Sequence, residues 1–164
     1  DSTAMPFTQD ALFYRIRTKK SVALIAFTAD GDVFGGFYTL DSRAVKARPL
    51  FDPNMFLFSF ESHGRCKTPK RFFVKEGLKA DACVKYHTPN PSNWIVSFAV
   101  IGRGEVKLGN PTSHTWCLSL SQAFDGMEDR TLTGQSMVPG TKYFSPEFWH
   151  NVHHCVRLVA VHVE

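Results

Sequence analysis

Residues 21–39 have the sequence SVALIAFTADGDVFGGFYT, and this stretch decides the fold. Two apolar runs, rich in β-branched and aromatic residues that suit a pleated surface, lie on either side of Asp30 and Gly31. An Asp-Gly pair between such runs is a strong hairpin signal, because both positions of the tight turn need a positive φ. The stretch therefore predicts two antiparallel strands, Ser21–Ala29 and Asp32–Thr39, joined by a short turn.

The rest of the chain continues this pattern of short apolar runs separated by turn-forming residues. The further predicted strands are Met55–Glu61, Arg71–Lys75, Ala80–Tyr86, Trp94–Ile101, Glu105–Leu108, Thr115–Leu120 and Val156–Val163. Several of these runs are apolar on both faces and must be covered on two sides. We therefore predict a mostly β (α+β) fold, in which two antiparallel sheets form a β-sandwich with a few short helices and long loops.

Helix signals are few. One short helix is predicted from Gln9 to about Arg15 and a second from Ser145 to about Asn151, where Ser, Pro and Glu form a good helix start. The 164 residues fit one domain, which we expect to span residues 6–164 after a tail at residues 1–5. No internal repeat or linker divides the chain.

Composition excludes several classes of protein. With 43% hydrophobic and 21% charged residues, the chain is neither a disordered tail nor a coiled coil. No apolar run approaches the roughly 20 residues of a spanning helix, and no signal-peptide pattern is present. Four scattered cysteines do not form a disulfide framework. These observations favour a reducing compartment, and the expected location is cytoplasmic, with the nucleus as the alternative.

Positive charge is concentrated in the middle of the chain. Between Arg43 and Lys85 there are ten Lys or Arg residues against four Asp or Glu residues, whereas the whole chain carries a net charge of +4. The segment 65–75, RCKTPKRFFVK, mixes these cations with two phenylalanines, and such a mixture can hold phosphates and stack bases. Its candidate nucleic-acid-binding residues are Arg65, Lys67, Lys70, Arg71 and Lys75. The alternative is a solvated strand whose phenylalanines lie in the core.

Two weaker patterns would support an enzyme. The segment 150–155 contains four side chains that can bind a metal, His150, His153, His154 and Cys155, but no C-x-x-C partner completes a zinc site. Cys66, between Arg65 and Lys67, is the best thiol candidate because neighbouring cations favour a thiolate. A polar turn and a merely exposed cysteine are the simpler explanations, and neither pattern implies a cofactor.

Three segments together resemble the TLDc domain family. They are Leu12–Arg15 before a strand, Asp30–Phe37 with its VFGG motif, and Phe56–Ser59 with the sequence FLFS, and the closing strand Arg157–Glu164 fits as well. Ile101–Gly104 and Ser113–Cys117 are similar to later parts of that family more loosely. The resemblance covers about Pro6 to Glu164 and implies a two-sheet sandwich. It also implies that Phe34, Phe37, Phe56 and Phe58 are core residues, and that Gly35 and Gly36 allow close packing.

The resemblance implies no catalytic residue, because the family has no agreed active site. Its members are associated with resistance to oxidative stress, and some bind the vacuolar proton-pumping ATPase. We therefore expect a non-enzymatic interaction domain whose partner is a protein, with a subunit of that ATPase implied by the resemblance alone. The alternatives are a nucleic-acid-binding regulator that uses segment 65–75 and a thiol- or metal-dependent enzyme.

Overall fold

The structure is a computed structural model that describes residues 9–16, 18–41, 48–87, 94–109, 116–132 and 155–164. Over these residues the ten strands are β1 Val22–Thr28, β2 Val33–Tyr38, β3 Leu50–Phe51, β4 Phe56–Glu61, β5 Lys70–Phe73, β6 Ala82–Tyr86, β7 Trp94–Val100, β8 Gly104–Gly109, β9 Trp116–Leu118 and β10 Cys155–His162. The helical segments are α1 Gln9–Ile16, α2 Leu120–Ala123 and a 3₁₀ helix, Glu76–Asp81. None of the helices described is long and apolar enough to cross a membrane.

Two antiparallel five-stranded sheets confirm the predicted β-sandwich. Sheet A has the order β10-β1-β2-β4-β5 and sheet B has the order β3-β6-β7-β8-β9. The predicted strands are present with shifted ends, and the short β3 was not predicted. The predicted strand Thr115–Leu120 includes β9 but extends too far, because Ser119 has a φ of 47° and starts α2 instead. The predicted helix Ser145–Asn151 lies outside the described residues.

The central hairpin is confirmed, but its turn differs from the prediction. Gly31 has a φ of 88°, whereas Asp30 does not have a positive φ. The loop is closed by the Gly31 N–H, which donates to the Thr28 carbonyl at 3.0 Å, and by the Asp32 N–H, which donates to Thr28 Oγ1 at 3.0 Å. A longer loop with a threonine side chain therefore replaces the two-residue turn.

The core lies between the two sheets. Val22, Leu24 and Ala26 of β1 are buried on one face of sheet A, and Phe98 and Val106 are buried on the facing side of sheet B. Because side chains alternate along a strand, every second residue of each sheet enters this layer. Burial of this apolar layer is the dominant stabilising effect in the fold.

Two aromatic residues join the sheets directly. Tyr38 of β2 and Tyr86 of β6 are fully buried, and their hydroxyl oxygens are 2.9 Å apart in a hydrogen bond. Burial, together with the neighbouring Tyr38, raises the pKa of Tyr86 well above its ordinary value of 10.0. The Tyr86 phenol is therefore neutral at physiological pH, and the hydrogen bond satisfies polar groups that would otherwise be costly to bury.

Candidate interaction surfaces

The outer face of sheet A carries a ladder of phenylalanines. Phe37 of β2 stacks on Phe56 of β4, with ring centroids 4.9 Å apart, and Phe73 of β5 lies 5.5 Å from Phe56. Phe58 continues the ladder along β4 and contacts Phe60, with centroids 5.0 Å apart. We call these five phenylalanines, together with Arg71, the aromatic face.

Phe60 and Phe73 are the two exposed rings of this ladder, one at each end: Phe73 lies against Phe56, and Phe60 lies against Phe58. Phe37 and Phe56 are half-buried and Phe58 is buried, whereas Phe60 is 52% exposed and Phe73 is 51% exposed. Transfer of a phenylalanine ring from water into an apolar environment is favourable, so exposed rings give up stabilising free energy. A cluster of exposed aromatic rings is therefore a feature of binding sites. Aromatic residues are also enriched at the centres of protein interfaces.

Arg71 adds a positive charge to the aromatic face. Its guanidinium carbon lies 5.7 Å from the centroid of Phe56 and 5.8 Å from that of Phe73. These distances suit a cation–π interaction, and the Arg71 side chain is exposed. The aromatic face therefore offers apolar area and a fixed cation to a partner.

The position of these rings corrects an expectation from sequence. The resemblance implied that Phe34, Phe37, Phe56 and Phe58 are core residues. Phe34 and Phe58 are buried as implied, but only Phe34 lies in the layer between the sheets, and Phe37 and Phe56 are half-buried. The other three alternate onto the outer face, because β2 and β4 are apolar at nearly every position and hydrophobicity alone does not show which side faces inward. The pairing of Phe37 with Phe56 across adjacent strands fixes this orientation, and it is a property of the folded sheet.

The five cations predicted in segment 65–75 do not form one surface: Arg65, Lys67 and Lys70 line the same pocket, and the other two lie elsewhere. Arg71 belongs to the aromatic face, whereas Lys75 donates from Nζ to the Ser121 carbonyl at 2.7 Å. Lys67 and Lys70 line an open pocket on a different side of β5. The structure thus distributes the segment over several surfaces, because residues 70 and 72 point to one face of the strand and residues 71 and 73 to the other.

Arg65 is occupied by contacts within the protein. Its Nη2 donates to the Asp32 carboxylate at 2.5 Å and to the Leu132 carbonyl at 3.0 Å, and its Nε donates to the Thr131 carbonyl at 3.2 Å. Asp32 is only 1% exposed, so its charge is buried against this guanidinium. The ion pair connects the β1–β2 loop with the β4–β5 loop, and the other two hydrogen bonds of Arg65 connect the β4–β5 loop with residues 131 and 132.

His63 and Glu61 complete this end of the sandwich. His63 has a φ of 48°, and its Nε2 lies 2.5 Å from the Asp30 carbonyl oxygen. The backbone N–H groups of His63 and Ser62 both donate to Glu61 Oε1 at 2.8 Å. These two hydrogen bonds lower the pKa of the exposed Glu61 carboxyl from its ordinary value of 4.5. The cluster orders the turn after β4 and is fully explained by that role.

The predicted metal ligands fall mostly outside the described residues. His150, His153 and His154 lie there, and only Cys155 is described. Cys155 is fully buried at the start of β10, and its thiol donates to the Arg157 carbonyl at 3.3 Å. Within the residues that the structure describes, no cluster of three metal-binding side chains is present.

Burial shifts the pKa values of two cysteines, Cys83 and Cys155, and of one histidine, His87. Burial raises the pKa of Cys155 to about 11, and burial together with Glu105 raises that of Cys83 to about 11. His87 Nε2 lies 2.5 Å from Ser97 Oγ, and burial lowers the pKa of His87 to about 4. Ser97 is 1% exposed, and this serine–histidine pair joins the residue that follows β6 to β7.

No protein-family model matches the chain, and no curated protein matches it in sequence.

Proposed function

We propose that the chain is a non-enzymatic interaction domain of the TLDc type that binds a protein partner through its aromatic face. The observation that carries this proposal is the exposure of Phe60 and Phe73 at the two ends of a ladder whose other rings are buried or half-buried. Large apolar rings around a fixed arginine have the composition of an interface hot spot. The proposed role in oxidative-stress resistance, and the vacuolar ATPase as the partner, rest on the resemblance of the VFGG and FLFS segments alone.

The charge of Arg71 indicates the chemistry of the partner. A guanidinium held over two rings favours a partner surface that places a carboxylate beside apolar side chains. A fully apolar partner would leave this cation without a counter-charge in the interface, which carries a desolvation cost. The proposed partner surface is therefore apolar with at least one acidic residue.

The test is a pull-down from native lysate at physiological salt, with and without nuclease, followed by quantitative mass spectrometry. We expect captured protein, including subunits of the proton pump, to persist after nuclease and to fall at least about tenfold with Phe60→Ser plus Phe73→Ser. Phe51→Ser is the matched control, since Phe51 is 54% exposed but lies on sheet B. Recovery that is unchanged by the double variant, or that falls equally with the control, would refute the aromatic face as the interface.

A second candidate function is binding of single-stranded nucleic acid by the same face. The observation that favours it is the position of Arg71 over Phe56 and Phe73 on an exposed sheet, since bases stack on such aromatic platforms while cations hold the phosphates. Arg65 and Lys75 make hydrogen bonds within the protein and contribute less to this candidate than the sequence suggested.

The two candidates are separated by salt dependence. If nucleic acid is the partner, fluorescence anisotropy with a single-stranded 20-nucleotide probe should give an affinity that falls steeply between 50 and 200 mM salt. Arg71→Glu should weaken that binding, whereas Arg48→Glu, at an exposed arginine away from the aromatic face, should change it much less. Loss of captured partners after nuclease treatment, with a salt-dependent anisotropy signal, would replace the protein partner with nucleic acid.

A further inference from the structure

A basic pocket lies beside β5, on the side opposite the aromatic face. It has a volume of about 560 Å³ and is formed by the loop before β5, by β5 itself and by residues 126–131. Lys67, Lys70 and Arg130 line it together with one acidic side chain, Glu128. The buried ring of Phe72 provides an apolar part of the lining. Arg130 is about 60 residues from the basic segment in sequence and joins it only in the folded chain.

The positive charge of this pocket is not neutralised within the described part of the chain. Lys67 and Arg130 form no ion pair with any residue that the structure describes. Lys70 Nζ lies 5.2 Å from the centroid of Phe72 and 3.5 Å from the Gly126 carbonyl oxygen, a long hydrogen bond to a neutral group. Among the described residues, three cations therefore line the pocket with one carboxylate, that of Glu128.

Arg65 forms a fixed wall of the pocket. Its contacts with Asp32, Thr131 and Leu132 hold residues 131 and 132 against the loop that carries Lys67. Because both sides of the pocket are joined in this way, the cations are presented by a structured site and not by a mobile loop. A prearranged site loses less conformational entropy when a ligand binds.

The shape of the pocket favours a compact ligand. Lys67, Lys70 and Arg130 converge on one concavity, whereas Arg71 faces the other side of the strand and Lys75 is hydrogen-bonded to Ser121. An extended nucleic acid needs cations spaced along a path, but a small polyanion needs them around one point. The volume lies within the range that small-molecule pockets have.

We infer that this pocket binds a compact polyphosphate, of which an inositol polyphosphate is the best-fitting class, either free or as the headgroup of a lipid. The phosphate groups accept charge-assisted hydrogen bonds from Lys67, Lys70 and Arg130. A ring that carries several phosphate groups suits cations arranged around one concavity, which is the reason for choosing an inositol polyphosphate. This site is separate from the aromatic face and does not depend on the proposed partner.

The first experiment is isothermal titration with inositol trisphosphate at 50 and 150 mM salt. We expect saturable binding that weakens with salt, and a loss of at least about tenfold in affinity for Lys67→Ala plus Arg130→Ala. Lys20→Ala plus Arg48→Ala is the matched control, because it removes the same charge from exposed positions that do not line the pocket. The control should change the affinity less than about twofold.

A second variant gives an effect in the opposite direction. Glu128→Gln removes the one carboxylate among the described lining residues, so it should strengthen trisphosphate binding a few-fold. Thermal melting of every variant verifies folding, and loss of stability cannot produce tighter binding. No detectable trisphosphate binding by the unaltered protein, or equal losses in the control and the pocket variants, would overturn the inference.

Three parallel probes show whether the phosphate groups belong to a lipid headgroup, to a free small molecule or to a nucleic acid. Co-sedimentation with phosphatidylcholine vesicles containing 5% phosphatidylinositol bisphosphate, but not with phosphatidylserine vesicles of equal charge, would support the lipid headgroup. Binding of trisphosphate without vesicle binding would support a free ligand. A single-stranded oligonucleotide that binds more tightly than trisphosphate and is lost with the same pocket variants would overturn the inference in favour of nucleic acid. The unchanged behaviour of Phe60→Ser plus Phe73→Ser in all three probes distinguishes this site from the proposed interface.

Discussion

Gly36 of β2 lies directly against the ring of Phe98 on the opposite sheet. A Cβ atom placed on Gly36 would be 2.6 Å from three carbons of that ring, well inside van der Waals contact. Phe98 is fully buried, with Tyr38 beside it at 6.4 Å between ring centroids. The missing side chain at Gly36 therefore sets how closely sheet A approaches sheet B, which agrees with the close packing that the VFGG motif implied.

We predict that Gly36→Ala destabilises the domain by about 1–3 kcal/mol, because the Phe98 ring has to move in a close-packed core. The measurement is urea unfolding followed by fluorescence. Gly77→Ala is the control, since a Cβ on Gly77 meets nothing within 4 Å, and we expect it to change the stability by less than about 0.5 kcal/mol. Equal stability of the two variants would contradict the packing that the structure describes.

The Asp32–Arg65 ion pair gives a second prediction. Arg65→Ala should lower the free energy of unfolding by about 3–5 kcal/mol, because Asp32 is only 1% exposed and its buried charge would be left with the exposed His63 imidazole, 3.7 Å away, in place of the guanidinium. Arg71→Ala, at an exposed arginine on the same hairpin, should cost less than about 1 kcal/mol. Chemical denaturation measures both. If the two substitutions have the same small effect, Arg65 is not held by Asp32. It would then again be a candidate nucleic-acid-binding residue.

The sequence predicted the strands well but not the faces of sheet A. Apolar and β-branched runs between turn signals were sufficient to locate most strands and the central hairpin. The segment FLFSFE, however, is apolar at four of its six positions, so its pattern does not show that Leu57 faces the core while Phe56 and Phe58 face outward. That choice is made by the register with β2, in which Gly35 opposes Phe58 and provides space for its ring.

The candidate sites were harder to predict, because each depends on residues distant in sequence. Segment 65–75 appeared as one basic stretch, but strand alternation separates Arg71 from Lys70, and a long-range ion pair occupies Arg65. Arg130 had no signal in the sequence, because nothing local to residues 126–131 indicates that they pack beside β5. Local pattern therefore defines the strands, while tertiary contacts determine which cations are available.

His87 provides a prediction about pH. Burial, followed by the charges of Lys107 and Lys85, lowers the pKa of His87 from 6.5 to about 4 in the folded protein. Between these two values the unfolded chain binds a proton that the folded chain does not, so stability should fall as the pH drops from 6.5 towards 4. After allowance for partial exposure, we expect a loss on the order of 1–2 kcal/mol by pH 4.5.

Urea unfolding at pH 7.0, 6.0, 5.0 and 4.5 measures this dependence. The His87→Gln variant should be less stable at pH 7 but should show a flatter decline below pH 6.5. His162→Gln removes an exposed histidine at the end of β10 and should retain the slope of the unaltered protein. A slope that is the same for all three proteins would show that His87 titrates normally in the folded state.

The four cysteines should differ strongly in reactivity. Cys83 and Cys155 have pKa values raised to about 11 by burial, so at pH 8 only about one thiol in a thousand is ionised at each position. Cys66 is half-buried at the basic pocket, whereas Cys117 is buried. We expect iodoacetamide at pH 8 to modify Cys66 at least about tenfold faster than the other three, as measured by peptide mass spectrometry.

In 6 M guanidinium chloride all four should react at similar rates, because the difference arises from the fold. Labelling of Cys83 or Cys155 as quickly as Cys66 in the folded protein would mean that sheet B or β10 opens far more often than these buried positions allow. Protection of Cys66 by inositol trisphosphate would connect this reactivity to the basic pocket, since Cys66 and Lys67 line the same concavity.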